Sequence, residues 1–292
     1  MNPDEIPSKP NTDESSTQYP NILNWLKVNN RIPGEFVSNH VLIWIDILGY
    51  KNDADCHFKN SYKPESVKTV DLYLQKIMDA YDFALEFSKR VLGEDPGIRI
   101  FSDNILLYCK LHQDPTDLEN IIKLLYVASG IQWIMTGALK ILIRGAATVG
   151  LFYSNNRFVY GPALIEAYKL ETKATFYPRI LISDNLKDYL KTIENTNPDE
   201  LFQGLLVRDE DGICCVNGLF PMHGTHINPI DYGTSIATMR ESYIDKSEDL
   251  KSKMNYTISK YNEFCKEEHI DSNIDLLRSR VPNMSMPGSP EA

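Results

Sequence analysis

Two stretches decide how this chain is read. One is Val41-Leu42-Ile43-Trp44-Ile45-Asp46-Ile47-Leu48-Gly49-Tyr50-Lys51, and the other is Ile98-Arg99-Ile100-Phe101-Ser102-Asp103-Asn104-Ile105-Leu106-Leu107-Tyr108. Each is rich in β-branched and aromatic residues and reads as strand, and each carries one carboxylate in an otherwise apolar run. An ionised Asp in apolar surroundings is costly unless it is paired or bound to a metal. Asp46 and Asp103 together therefore point to one shared cation. Magnesium and manganese bind nucleoside triphosphates through such carboxylates plus phosphate oxygens, so phosphate chemistry is the first expectation.

Outward from the first stretch, a polar loop leads into a helix expected from about Glu65 to Leu92. Val67, Val70, Leu72, Ile77, Met78, Tyr81, Ala84 and Phe87 recur there at helical spacing, and Gly93 and Pro96 mark its stop. The second stretch divides into strands at about 98 to 102 and 105 to 110. They are too close to be anything but a hairpin with Asp103 at or near its turn. A second helix follows at about 115 to 138, then a strand at 141 to 152, a turn at Ser154-Asn155-Asn156 and a short strand at 157 to 160. Strand, helix, hairpin, helix, hairpin is a two-layer α/β (α+β) pattern of ferredoxin-like type, an antiparallel-rich sheet with helices expected on one face and the other face and edge open to a partner. Gly161-Pro162 opens a helix through Glu171. A strand is expected at 178 to 183, Asp184 as the cap of a short helix through Leu190, and a hairpin across Arg208-Asp209-Glu210-Asp211-Gly212. From about 235 to 269 the chain is polar and helical without a strong apolar stripe. The expected organisation is a mobile arm over residues 1 to 20, a short helix at 21 to 28, a catalytic domain over 21 to 233, a helical extension over 234 to 270 and a flexible tail over 271 to 292.

At 292 residues and 42% hydrophobic content the chain can bury one large core or one core plus an appendage. A formal net charge of −10 excludes broad electrostatic binding to nucleic acid or anionic membrane, so an anionic substrate needs a local basic cluster. Lys51, Arg99, Arg144 and Lys169 are the candidates. No apolar stretch approaches the roughly 20 residues that span a bilayer, and no signal peptide is evident, so a cytoplasmic location is expected. Cys56, Cys109, Cys214, Cys215 and Cys265 lack metal or disulfide-scaffold spacing and read as reduced thiols. The six histidines, His223 and His226 among them, have no spacing that compels a metal site.

Over about residues 41 to 185, four motifs in order and spacing resemble the class III nucleotidyl cyclases, most closely the bacterial pyrimidine cyclases of Pycsar antiphage defence. The family's strand-ending Asp-Ile-x-Gly-Phe stands here as Asp46-Ile47-Leu48-Gly49-Tyr50. Its second metal Asp matches Asp103, with Arg99 in place of the usual Lys and Ser102 in place of Gly. Its Arg-x-Gly-Ile strand matches Arg144-Gly145-Ala146-Ala147. Its Gly-x-x-Val-Asn-x-Ala-x-Arg-Leu-Glu helix matches Gly161-Pro162-Ala163-Leu164-Ile165-Glu166-Ala167-Tyr168-Lys169-Leu170-Glu171.

The resemblance implies that Asp46, Asp103 and the carbonyl of Ile47 bind two divalent cations, Mn²⁺ or Mg²⁺, over a triphosphate. It implies that Arg144 holds phosphate oxygens, with Lys51 completing the cradle, and that Lys169 acts near the α-phosphate. Base-reading positions fall on Arg99 and Phe158, and Tyr50 lines the same pocket. A Phe in place of the purine-reading Asp favours a smaller ring. Arg99 only donates hydrogen bonds and so favours uracil's carbonyls over cytosine's amine. The implied activity is uridylate cyclase, UTP to 3′,5′-cyclic UMP and pyrophosphate, by a homodimer with sites shared between subunits and with a separate effector reading the product. Cytidylate cyclase and a non-catalytic nucleotide sensor are the alternatives, the latter because Ile165 replaces the family's Asn. Read by themselves, Arg144 also suits pairing with a core carboxylate, Arg99 and Lys169 solvated faces, and Tyr50 and Phe158 ordinary core positions.

Overall fold

Strand β1 (Ser38–Ile47) organises the structure, a computed structural model that describes residues 37–48, 67–93, 97–155, 157–174, 176–194, 202, 204–222 and 228–278. The expectations for the N-terminal arm, the helix at 21 to 28, Tyr50, Lys51, Cys56, His223 and His226 lie outside those residues. β1 pairs antiparallel on one side with β3 (Asn104–Lys110) and on the other with β4 (Ile143–Ser154). Its alternate residues Val41, Ile43, Ile45 and Ile47 are buried in the main core with α1 (Val67–Leu92) and α2 (Thr116–Gly137). Leu42 faces the other way, into a smaller core with Leu106, Phe152, Ala163 and Ala167. Burial on both faces is why β1 reads as a nearly unbroken apolar run rather than as an alternating one.

The hairpin partner is β2 (Gly97–Phe101), so β1, α1, β2, β3, α2 and β4 follow the ferredoxin-like order with strands arranged β2-β3-β1-β4, all antiparallel. β6 (Ile180–Ile182) adds parallel to β4. β8 (Cys214–Val216) and β7 (Leu206–Arg208) continue antiparallel, and the two-residue β5 (Val159–Tyr160) pairs with β4, which completes an eight-stranded sheet.

Helices do not keep to one face. α1, α2 and α4 (Asp184–Glu194) pack on the main core, whereas α3 (Pro162–Ala174) places Ala163 and Ala167 on the opposite face, over β1 and β4. Gly161, at φ 147°, starts α3 where a side chain would collide with the Leu151 carbonyl, so β4 and α3 approach closely. The expected cap of α4 is also displaced by one residue. Ser183 Oγ accepts from Leu186 N at 3.1 Å and donates to Thr148 Oγ1 at 2.8 Å, while Asp184 sits on the surface with Lys187.

The C-terminal region is helical, as its sequence indicates, but it carries an apolar stripe that the sequence conceals. α5 (Pro229–Glu241) and α6 (Glu248–Glu267) build a second core of Tyr232, Ile236, Met239, Met254, Ile258 and Tyr261, closed by Leu142 and Met222. The apolar stripe was hidden because the turn after Glu241 resets the helical phase and because Met, Tyr and Cys carry it between lysines and asparagines. Of the expected tail, residues 271–278 are described and dock on α6, while 279–292 lie outside the described residues. Asn262 exchanges two hydrogen bonds with the backbone of Ile274 (2.9 and 3.0 Å), and Asn255 exchanges two with Leu277 (2.9 and 2.7 Å). Seven residues of helix rise about 10.5 Å and three of extended chain span about 10 Å, so the two asparagines match the two backbone positions. No helix among the described residues is long and apolar enough to cross a membrane, and Cys109, Cys214, Cys215 and Cys265 are free thiols.

Candidate active site

Asp46 is the last polar position of β1, in register with Asn104 of β3 on one side and Arg144 of β4 on the other. Side chains paired across a sheet share a face, so Asp46 and Arg144 both point to the side that α3 covers. Arg144 Nε lies 3.2 Å from Asp46 Oδ2 and 2.5 Å from Glu171 Oε1, and Glu171 comes from the end of α3. Gly145 allows this closeness. A side chain there would strike the Trp44 carbonyl, and β1 could not lie against β4 at Asp46.

Asp103 reaches the same end of the sheet through its backbone. The two-residue turn Ser102-Asp103 closes the β2–β3 hairpin with Ser102 at φ 56°. Ile47 N–H donates to Asp103 O at 3.0 Å, Tyr81 Oη of α1 donates to Ser102 O, and Asn104 Nδ2 donates to Asp103 Oδ1 at 2.9 Å. The turn is thus fastened to β1 and to α1. Ile47, with its side chain in the main core, carries its backbone between the two aspartates.

Burial, then the charge of Glu171, pushes the Asp46 carboxyl up to about 6, with Arg144 opposing and Asp103 adding to the rise. Burial raises Glu171 as well, against the pull of Arg144 and of the Thr172 hydroxyl. Asp46, Asp103 and Glu171 therefore repel one another around the Arg144 guanidinium. Among the described residues no group of three or more His, Cys, Asp or Glu side chains is arranged to hold a metal ion. Trp44 lies next along this face, ringed by Phe101 at 5.4 Å and Tyr168 at 5.9 Å between centroids.

The two base-reading candidates meet at the β4–β5 turn. Arg99 Nη2 donates to Asn155 O at 3.4 Å, its Nη1 to Ile98 O at 2.8 Å, and its guanidinium lies 5.8 Å from the Tyr108 ring. Asn155 Oδ1 accepts from Phe158 N at 2.9 Å, and the Phe158 ring, 57% exposed, leans on Tyr153. Arg99 pairs with Leu106, which pairs with Trp44, so Arg99 occupies the same sheet face as Asp46, one row on and two strands across. Lys169 stands on the exposed side of α3 with Ile165 and Tyr168. It does not join the Asp46 cluster.

Glu171 is the residue that sequence reasoning left without a role. The signal was present, since Ala163, Ala167 and Glu171 recur at i, i+4 spacing and put a carboxylate at the end of a buried helical row. A second cluster was missed entirely. Arg179, 3% exposed, pairs with Asp209 and with Asp211 (Nη2–Oδ2 2.5 Å), while Tyr256 Oη and Lys260 Nζ reach Asp209 at 2.8 and 3.0 Å.

No protein-family model and no curated protein sequence matches the chain. Among solved structures, an adenylyl cyclase, CyaB, from P. aeruginosa aligns at TM-score 0.41 and 15% identity over 62% of this chain and 94% of that one. A class III adenylyl cyclase-like ATP-binding protein from Pseudomonas aeruginosa aligns at 0.39 and 13% identity over 79% of this chain and 44% of that one.

Proposed function

We propose that this chain is a pyrimidine nucleotide cyclase that converts UTP to 3′,5′-cyclic UMP and pyrophosphate. The observation that carries the reading is the fastening of Asp103 to the end of β1 by the Ile47 N–H to Asp103 O hydrogen bond, which brings two aspartates to one end of a ferredoxin-like sheet. The donor set suits a hard divalent cation: carboxylates in excess over the local guanidinium, with the Asp46 carboxyl pushed up to about 6 first by burial and then by the charge of Glu171. Asp46, Asp103 and the Ile47 carbonyl are the residues that would hold two such ions, with substrate phosphate oxygens completing their shells. Mn²⁺ or Mg²⁺ bound there supplies acidity to the ribose 3′-hydroxyl and neutralises the β- and γ-phosphates.

The chain's own residues do the rest. Arg144, already lodged beside Asp46, presents its planar fork toward phosphate oxygens, and Glu171 sets its orientation. Arg99, anchored through Asn155 O, offers donors to the carbonyls of uracil, and Phe158 and Tyr153 provide stacking surface. Tyr50 and Lys51 belong to the same reading on the strength of their place in the motif.

Phe158 in the β4–β5 turn, Tyr160 on β5, and Ile165 and Tyr168 on α3 are large apolar side chains between 51% and 64% exposed. On this reading a second copy covers this surface and Lys169 serves the partner's aspartates, which is the homodimer with shared sites. The product serves, on this reading, as a messenger for antiphage defence read by a separate effector. One observation favours the nucleotide-sensor reading instead: Ile165, 51% exposed, offers no polar group where the resemblance requires Asn.

Purified chain incubated with ATP, GTP, CTP or UTP plus manganese, with products resolved by mass spectrometry, tests the proposal. Cyclic UMP that disappears in Asp46→Asn is the expected result. Cyclic CMP in its place would correct the base, and no cyclic product from any triphosphate would leave the sensor reading.

A further inference from the structure

A cavity of about 240 Å³ lies where the β7–β8 end of the sheet meets α2 and α6. Gln132 of α2, Arg179 ahead of β6, Val216 of β8, and Tyr256, Lys260 and Phe264 of α6 line it. None of Asp46, Asp103, Arg144 or Glu171 does, so it is separate from the candidate active site.

Its charges are balanced internally. Arg179 is matched by Asp209 and Asp211, and Lys260 bridges Asp209 and Glu263 at 3.0 and 2.8 Å. With Arg179 and Lys260 already matched by carboxylates, this part of the lining favours a neutral ligand over an ion. Two buried polar atoms nevertheless have no protein partner: Arg179 Nε, a donor on a side chain 3% exposed, and Gln132 Oε1, an acceptor. Both residues line the cavity, and Gln132 Nε2 donates to the carbonyl of Pro178, the residue before Arg179, at 3.0 Å, which ties the two together in one wall. Gly218 keeps that geometry open, since a side chain there would strike the Gln132 amide.

A ligand that sets an acceptor beside a donor pairs both atoms at once. Aromatic rings in the lining, Tyr232, Tyr256 and Phe264, add to the selection, and Tyr256 is held in place by stacking on Tyr177 at 4.7 Å between centroids. A cavity of roughly 150 Å³ is enough for benzene, so this one suits a substituted single ring. The geometry points to a second ligand site in this cavity, specific for a neutral planar heterocycle carrying a ring amide, N–H next to C=O. Arg179 O also accepts from Gly145 N at 3.0 Å, which puts the site's buried arginine one peptide from Arg144.

The test uses the full chain, calorimetry and saturation-transfer NMR with three probes: 2-pyridone, N-methyl-2-pyridone and benzene. The expected result is binding of 2-pyridone alone, weakened about tenfold or more by Gln132→Leu and abolished by Thr257→Trp, which fills the cavity from α6. Near-UV circular dichroism verifies that each variant is folded, and the two substitutions sit on different elements so that one can fail without loss of the test. Absence of 2-pyridone binding overturns the proposal. So does equal binding of the N-methyl compound or benzene, or binding that survives in the folded variants. None of these outcomes depends on cyclase activity.

Discussion

Arg144 holds two roles that pull in opposite directions. Its Nε neutralises Asp46 and Glu171 while the carboxylates carry no other cation, yet in the proposed reaction it faces phosphate. At about 4 Å, two unit charges near a protein surface interact by up to about 4 kcal/mol, so an internal cation competes with an added one. Arg144→Met should therefore bind Mn²⁺ about tenfold more tightly in the absence of nucleotide, read by electron paramagnetic resonance, while losing turnover; unchanged or weaker binding would sink the idea. The pH dependence follows from Asp46, whose carboxyl is raised from 3.8 to about 6. A raised acid keeps its proton longer in the fold than in the unfolded chain, so its contribution favours the fold below about pH 4. That contribution falls between about 4 and 6 and stays low above, a change of about 1–3 kcal/mol after allowance for solvent screening. Denaturant titrations at pH 4 and pH 7 should show Asp46→Asn gaining relative stability as pH rises. Mn²⁺ affinity of the unaltered chain should weaken as pH falls below about 6, because the ion and the proton compete for the same oxygens. Asp46 and Asp103 were legible because a carboxylate interrupts an apolar run. Glu171 was not, because its partner lies on another element and a glutamate in a polar helix draws no notice.

Elements were legible where one local pattern governed them. α1 runs from Val67 to Leu92 and ends where Gly93 adopts φ 103°, its N–H bonded to Lys89 O at 2.9 Å, as the glycine stop indicated. The β2–β3 hairpin followed from strand spacing alone. The cap of α4 did not, since Ser183 and Asp184 are both good capping types and the choice fell to Ser183, which also meets Thr148 across from β4. Ser183→Ala should cost about 1–2 kcal/mol in global stability, whereas Asp184→Ala should cost a few tenths. The docked tail gives a second expectation at this scale. Asn255→Ala removes both hydrogen bonds to Leu277 and should release 271–278 to hydrogen exchange without a comparable loss of protection in β1 or β4; a uniform loss throughout the chain would argue that the tail is integral to the core.

For the whole molecule, Lys169 stands on the exposed side of α3, so the proposed catalytic role of Lys169 carries with it the proposal that a second copy supplies it. Asp46→Asn and Lys169→Ala subunits, each inactive alone, should recover about a quarter of the unaltered activity when mixed, because half of randomly paired two-fold dimers would carry one intact site of two. No recovery would count against shared sites. The order of elements, the ferredoxin-like strand pattern and the two aspartates at the end of β1 and the β2–β3 turn were determined by the sequence itself, because apolar periodicity, glycine stops and chain spacing act over a few residues. Only the tertiary structure decided that α3 covers the opposite sheet face, that Arg144 sits between Asp46 and Glu171, and that Arg179 gathers Asp209, Asp211 and α6. Asp46 and Arg144 are 98 residues apart in the chain, and Arg179 and Asp209 are 30. Pairings at such separations leave no local pattern; they are selected by which faces of the sheet and helices must be buried together, and a charge placed on a buried face then takes whatever counter-charge the packing brings to it.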